Sequence, residues 1–258
     1  NELKSMVEFK LEQKHFHSSD DAVQNVLNIH SAIGARHGVM IVGPPISGKT
    51  AATKTITDAL ERLHKREFNE KYVAFMLKKG ERLGIATKSV LKDGLADILP
   101  EDSDPITEAK FKMTPEEYQL LLDTCRYKGI SNIIVNPKSI NPRQLMGHFD
   151  DTSREWTDGI LSYAIRKAAN DLSGRRTLVT FDGPIDPDWV ENMNSVLDDN
   201  KRLNLVTGEA IYLTPNMNII LECADLSECS PATITRCAVV YMRKESLPVK
   251  AHFNRWLA

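Results

Sequence analysis

The segment Gly43-Pro44-Pro45-Ile46-Ser47-Gly48-Lys49-Thr50 constrains the fold of this 258-residue chain most, because it has the spacing G-x-x-x-x-G-K-[ST] and the right neighbours. Val39-Met40-Ile41-Val42 before it predicts a buried strand, and Ala51 to Leu60 after it predicts a helix. In such a strand, loop and helix, the loop's backbone N–H groups and the helix N-terminus face an anion. Lys49 then reaches the β and γ phosphates of a nucleotide, and the Thr50 hydroxyl can ligate Mg²⁺. The candidate phosphate-binding residues are therefore Gly43, Pro44, Pro45, Ile46, Ser47, Gly48, Lys49, Thr50 and Ala51. Pro44 and Pro45 are tolerated because they precede the positions that must donate.

Composition removes several other classes. With 41% hydrophobic and 26% charged residues the chain is neither disordered nor collagen-like. No run approaches the roughly 18 apolar residues of a membrane span, and residues 1 to 18 lack the apolar core of a signal peptide. The expectation is a protein that works inside the cell. A net charge of −2 gives no electrostatic footprint for nucleic acid, and Lys65-Arg66 and Lys78-Lys79 read as solvated faces. Cys125, Cys223, Cys229 and Cys237 show no C-x-x-C spacing and predict buried, reduced thiols. His15-Phe16-His17 comes nearest to a metal spacing and reads as plain surface. The chain begins without Met and ends on the apolar Phe253-Asn254-Arg255-Trp256-Leu257, which predicts a piece of something longer.

Periodicity lays out an α/β pattern. Residues 1 to 36 read as mainly helical, with Val23, Val26, Leu27 and Ile33 on one face. Residues 67 to 128 form a charge-rich stretch, read as a helical insertion, with Thr114 as N-cap and Pro115 in the first turn of a helix. Further strands are predicted at Ile130 to Val135, Thr177 to Phe181, Met217 to Cys223 and Cys237 to Met242. Ile140 to Thr157 is polar and turn-rich, Trp156 to Leu172 reads as a helix, and Asp186 caps a helix running to about Asp199. Leu203 to Val206 and Ala210 to Leu213 flank Thr207-Gly208-Glu209 as a β-hairpin, and Ser230 to Arg236 is a short helix or turn. Strands alternating with helices predict a five-stranded parallel sheet with helices on both faces.

Arg176 to Asp182 has the form of a Walker B strand: apolar residues deliver Asp182 to the carboxyl edge of the sheet, where it would hold Mg²⁺. Hydrolytic ring-forming enzymes of this kind place a glutamate next, to polarise the attacking water. Here the residue is Gly183. Charge neutralisation is retained and the general base is missing, so binding with very slow or no turnover is expected. Glu191 and Glu222 are the carboxylates that could substitute. Gly34 to His37 is the candidate wall of a base pocket.

Several blocks now carry a likeness: Arg36 to Met40, Asn136 to Ile140, Glu155 to Gly159, Phe181 to Pro184, Trp189 to Lys201 and Ser230 to Cys237. Together they resemble the second AAA+ module of dynein heavy chains over most of residues 25 to 245, with axonemal wording in Asn136 to Ile140 and Ser230 to Thr233. The resemblance implies an AAA+ large subdomain over residues 1 to 258, in a six-module ring of a minus-end-directed microtubule motor. It implies ATP or ADP with Mg²⁺ at Thr50 and Asp182, retained and not hydrolysed. Leu203 to Leu213 and Ile140 to Thr157 would be the inserts that touch the motor's linker, and Arg236 would be an arginine finger completing the neighbouring module's site. Partners would be the adjacent modules, the linker and, only through the intact motor, the microtubule. No nucleic acid or membrane is expected, and the ciliary or flagellar axoneme is the expected place. Three departures stand out: the long excursion at 67 to 128, Glu222-Cys223-Ala224 without the usual asparagine, and a largely absent C-terminal helical lid. The competing functions are a free-standing P-loop hydrolase or kinase using another carboxylate, and a ring spacer that has lost nucleotide.

Overall fold

In a computed structural model, which describes residues 2–14, 16, 19–82, 106, 113–171 and 174–243, the apolar runs assemble into one parallel sheet. Two helices, α1 (Glu2–Gln13) and α2 (Asp20–Ala35), lead into β1 (Gly38–Val42), and α3 (Lys49–Arg82) leaves the loop. After α4 (Pro115–Thr124) come β2 (Ile130–Val135), α5 (Pro142–Met146), β3 (Gly147–Phe149), β4 (Trp156–Asp158) and α6 (Ile160–Ala169). The chain continues through β5 (Arg176–Asp182), α7 (Pro187–Val190), α8 (Asn194–Leu197), β6 (Arg202–Asn204) and β7 (Ala210–Tyr212). It reaches β8 (Met217–Cys223), α9 (Pro231–Arg236) and β9 (Ala238–Tyr241).

The main sheet has the order β2-β5-β8-β1-β9, with every pairing parallel. The central strands β1 and β8 are buried at every position, which is why they read as continuous apolar runs. Leu161 and Ile165 of α6 share one core with Val179 and Phe181 of β5, and Phe181 stacks on Trp189 at 5.0 Å. Burying a side chain of this size contributes about 1.5–3 kcal/mol. At the amino edge Asn218 Nδ2 donates to the carbonyls of Ile33 and Arg36, both at 3.0 Å, satisfying groups that the end of α2 leaves open. Arg176 Nη1 in turn donates to Asn218 Oδ1 at 2.7 Å.

Contacts divide the chain into two compact units, Asn1–Ala59 with Ile130–Ala258, and Leu60–Gly129. The second has its own apolar cluster of Phe68, Tyr72, Ile106, Met113, Leu121, Leu122 and Cys125. Thr114 and Glu117 form a reciprocal capping box on α4. Burial pushes the Glu67 carboxyl up, but the N–H groups of Arg126 and Tyr127 and the Lys71 ammonium outweigh it and hold the pKa below the usual value.

Several boundaries differ from the sequence reading. The helix expected at Trp156 begins only at Ile160, because Trp156 to Asp158 pairs with Gly147 to Phe149 as an antiparallel hairpin. Gly159 separates the two elements as N-cap. The helix expected from Asp186 to about Asp199 is split into α7, a 3₁₀ turn at Glu191–Met193 and α8. The loop helix, expected to Leu60, runs to Arg82. The predicted hairpin forms as β6 and β7, in the register Leu203 to Ile211. Arg166 links the two small hairpins, donating to Asp158 of β4 at 2.8 Å and to Glu209 of the β6–β7 turn at 2.5 Å. Leu172, His15, His17 and the Phe253 to Leu257 segment lie outside the described residues, as does much of the 67 to 128 stretch.

Candidate functional site: the phosphate loop and the carboxyl edge

The loop leaves β1, between β8 and β9, at the sheet's carboxyl edge. Gly43 N donates to the Cys223 carbonyl at 3.1 Å, and the first bond of the following helix runs from Ala52 N to the Gly48 carbonyl at 2.8 Å. Ile46 and Gly48 take positive φ, 67° and 87°. A β-branched residue held there is strained, which is characteristic of a backbone shaped by function. Lys49 Nζ lies over the loop, donating to the carbonyls of Gly43 at 2.6 Å and Pro44 at 3.0 Å. Ser47 is fully buried, and its Oγ has no hydrogen-bond partner among the described residues.

A Cβ at Gly43 would meet the Met242 carbonyl oxygen at 2.4 Å and Ser47 Oγ at 2.8 Å. Met242 cannot easily retreat, because its N–H donates to the Val42 carbonyl at 2.7 Å. Gly43→Ala is therefore expected to destabilise the chain by about 3 kcal/mol through overpacking. The readout is the denaturant midpoint together with nucleotide affinity, and a variant melting like the parent would show that the end of β9 yields.

Asp182 ends β5, and its partner across the strand pair is Glu222 of β8. Glu222 is 2% exposed and accepts from Thr50 Oγ1 at 2.6 Å and Thr53 Oγ1 at 2.7 Å. Burial pushes its pKa up, opposed by the two threonine hydroxyls; the Asp182 charge adds to the rise and Lys49 pulls against it. Lys49, Thr50, Asp182 and Glu222 thus come together at one edge. Thr50 and Asp182 are hard oxygen donors of the type Mg²⁺ prefers, so the residues present fit that ion. Glu191 is exposed on the 3₁₀ turn after α7.

Gly183 is half-buried. A Cβ there would lie 3.2 Å from Pro137 Cδ and 3.4 Å from Asn136 Oδ1, at the end of β2. The position lacks a carboxylate, and a side chain there would need Pro137 to give by a few tenths of an ångström.

Arg236, the last residue of α9, stands at the opposite edge. β9 pairs with β1 in the register Val39 to Ala238, so Arg236 lies beside the start of β1, not its end. Its Nε donates to the Asp198 carboxylate and its Nη1 to the Ala232 carbonyl at 2.8 Å. This arginine cannot serve its own chain's loop.

Gly34 to His37 precedes β1 at that same edge, with His37 Nε2 at 2.8 Å from the Val196 carbonyl. The expected base-pocket wall is thus misplaced: a full strand separates it from the loop. What borders the loop is a narrow apolar cleft of about 20 Å³, room for about one water, lined by Leu11, Phe16, Val26, Ala51 and Met242, with Asn25 and Ser47 also on its wall. Asn25 Nδ2 and Ser47 Oγ are buried without partners among the described residues. Sequence reasoning missed Asn25 entirely, because nothing local to α2 marks it.

The sequence profile of the AAA domain, dynein-related subfamily, matches residues 119–237. Human dynein axonemal heavy chain 3 is 35% identical over 225 residues, 87% of this chain. The chain is homologous to the AAA domains of dynein heavy chains. Mouse dynein axonemal heavy chain 12 is 32% identical over 91% of the chain, and the dynein-1-beta heavy chain of the flagellar inner arm I1 complex of Chlamydomonas reinhardtii is 29% identical over 99%. The chain spans 4% of the length of the first and third of these relatives and 6% of the second. An AAA domain with this five-stranded parallel sheet is an α/β P-loop fold, as expected, and the family implies nucleotide binding. Among the described residues no helix is long and apolar enough to cross a membrane, and all four cysteines are free and buried.

Proposed function

We propose that this AAA domain is the second module of a dynein motor ring, binding ATP or ADP with Mg²⁺ and keeping it unhydrolysed. The observation that carries the reading is Gly183: the loop, Lys49, Thr50 and Asp182 are in place, while the position that would polarise water is a glycine packed against Pro137. The phosphates lie on Gly43 to Ala51 and Mg²⁺ on Thr50 and Asp182. Arg236, at the far edge, completes the site of the preceding module. The relatives' names support a ciliary or flagellar axoneme as the place of work. Partners are the adjacent modules and the linker, with the microtubule engaged only through the intact motor.

The competing reading is a free-standing hydrolase or kinase with another carboxylate as base. Glu222 is its best candidate, but both of its oxygens already accept from hydroxyls of the loop helix.

Titrating ATP and ADP with Mg²⁺ against the chain, with phosphate release followed in the same sample, tests the proposal. Binding without release is expected. Sustained release would make the hydrolase reading the better one, and no binding would favour the spacer. Gly183→Glu is expected to leave release at background and to lower stability by about 1–3 kcal/mol, because its Cβ crowds Pro137. Rapid turnover in that variant would show that the site lacked only the carboxylate.

A further inference from the structure

Thr50 and Thr53, one turn apart on the loop helix, both end on a single carboxylate that phosphate binding does not require. Glu222 Oε2 accepts from Thr50 at 2.6 Å and Oε1 from Thr53 at 2.7 Å. The acceptor is 2% exposed, on the strand between β5 and β1, with Asp182 as its register partner. A hydroxyl has one proton and two lone pairs. Because Thr50 gives its proton to Glu222, its lone pairs are directed elsewhere, as a hard cation requires of an oxygen ligand.

We propose that Glu222 is a positioning residue of the metal site, holding the Thr50 hydroxyl so that its oxygen and the Asp182 carboxylate are presented together to the Mg²⁺ that accompanies the nucleotide. Glu222 acts through Thr50 and touches neither phosphate nor attacking water. In Glu222→Gln the amide can donate to Thr50 and turn its lone pair inward. Outer partners of metal ligands typically change metal affinity by about ten- to a hundredfold. The inference rests on the nucleotide-binding reading above.

The experiment measures ADP and ATP affinity of the whole chain at saturating Mg²⁺ and again in EDTA, for the parent, Glu222→Gln, Thr53→Val, Thr50→Val and the Glu222→Gln/Thr50→Val pair. Glu222→Gln is expected to weaken binding about tenfold or more with Mg²⁺ and to leave the EDTA value unchanged, which also reports a folded loop. Thr53→Val should leave the Mg²⁺ dependence intact, and Glu222→Gln should have no further effect once Thr50 is valine. Equal losses in both conditions would make Glu222 a structural tie and overturn the inference. So would an unchanged Mg²⁺ dependence, or additive losses in the double variant. A parent chain with no nucleotide affinity in either condition would remove the nucleotide reading and this inference with it. A parent with Mg²⁺-dependent affinity that Glu222→Gln does not alter would remove this inference alone.

Discussion

Lys49→Ala is expected to lower affinity for ATP and ADP by about thirtyfold or more, equivalent to roughly 2 kcal/mol, the low end for losing one partner of a charged hydrogen-bonded pair. The ammonium lies over the loop mouth, held by the Gly43 and Pro44 carbonyls, and is poised to exchange those acceptors for phosphate oxygens. Phosphate is the stronger acceptor for a cation, so removing Nζ weakens the bound state more than the free one. Calorimetric titration of the two proteins checks the affinity, and their thermal melts without nucleotide check that the loop survives. Unchanged affinity would mean that nucleotide, if bound at all, does not use this loop, and the spacer reading would then lead.

Arg236→Ala is expected to act at a distance. In the intact heavy chain it should slow hydrolysis at the preceding module by about a thousandfold or more, the usual worth of an arginine finger, and leave this module's own affinity unchanged. The two effects separate because Arg236 lies at the start of β9, at the other edge of the sheet from Lys49. Its contacts with Asp198 and Ala232 also support a purely structural role, tying α9 to the end of α8. That role predicts a drop in melting temperature of this chain and no change in the neighbour's rate. Steady-state ATPase measurements on the full motor, paired with melts of the isolated chain, distinguish the two.

Much of this arrangement was legible in the sequence because its signals are local. Met217 to Cys223 is a mostly apolar run of seven residues bounded by turns, and its shortness favours a buried strand over a helix, which needs about ten or more. The loop is contiguous, and Thr114 and Ser230 mark their helices through side chains that cap within the same turn. What was not legible depends on chain segments meeting. Trp156 becomes a strand residue only because Phe149 lies opposite it, at 5.3 Å between rings. Glu222 reads as the odd charge in an apolar strand; its partner Thr50 is 172 positions away, and only the order β5-β8-β1 brings them together. Gly34 to His37 adjoin β1 in sequence but at its amino end, and the loop leaves from its other end. The apolar faces of α1 and α2 gave no hint that they border the phosphate loop.

The separation of Lys49 and Arg236 to opposite edges has a consequence for symmetry. A chain that receives a guanidinium at one edge and offers one from the other makes a head-to-tail contact, in which donor and acceptor surfaces differ. A two-fold pair cannot satisfy both surfaces, since each partner would present the same edge to the other. Such contacts end only when the rotation from one unit to the next closes a circle, and otherwise they run on as a filament. The polarity of this one sheet thus gives any assembly built through these edges a direction around its circumference.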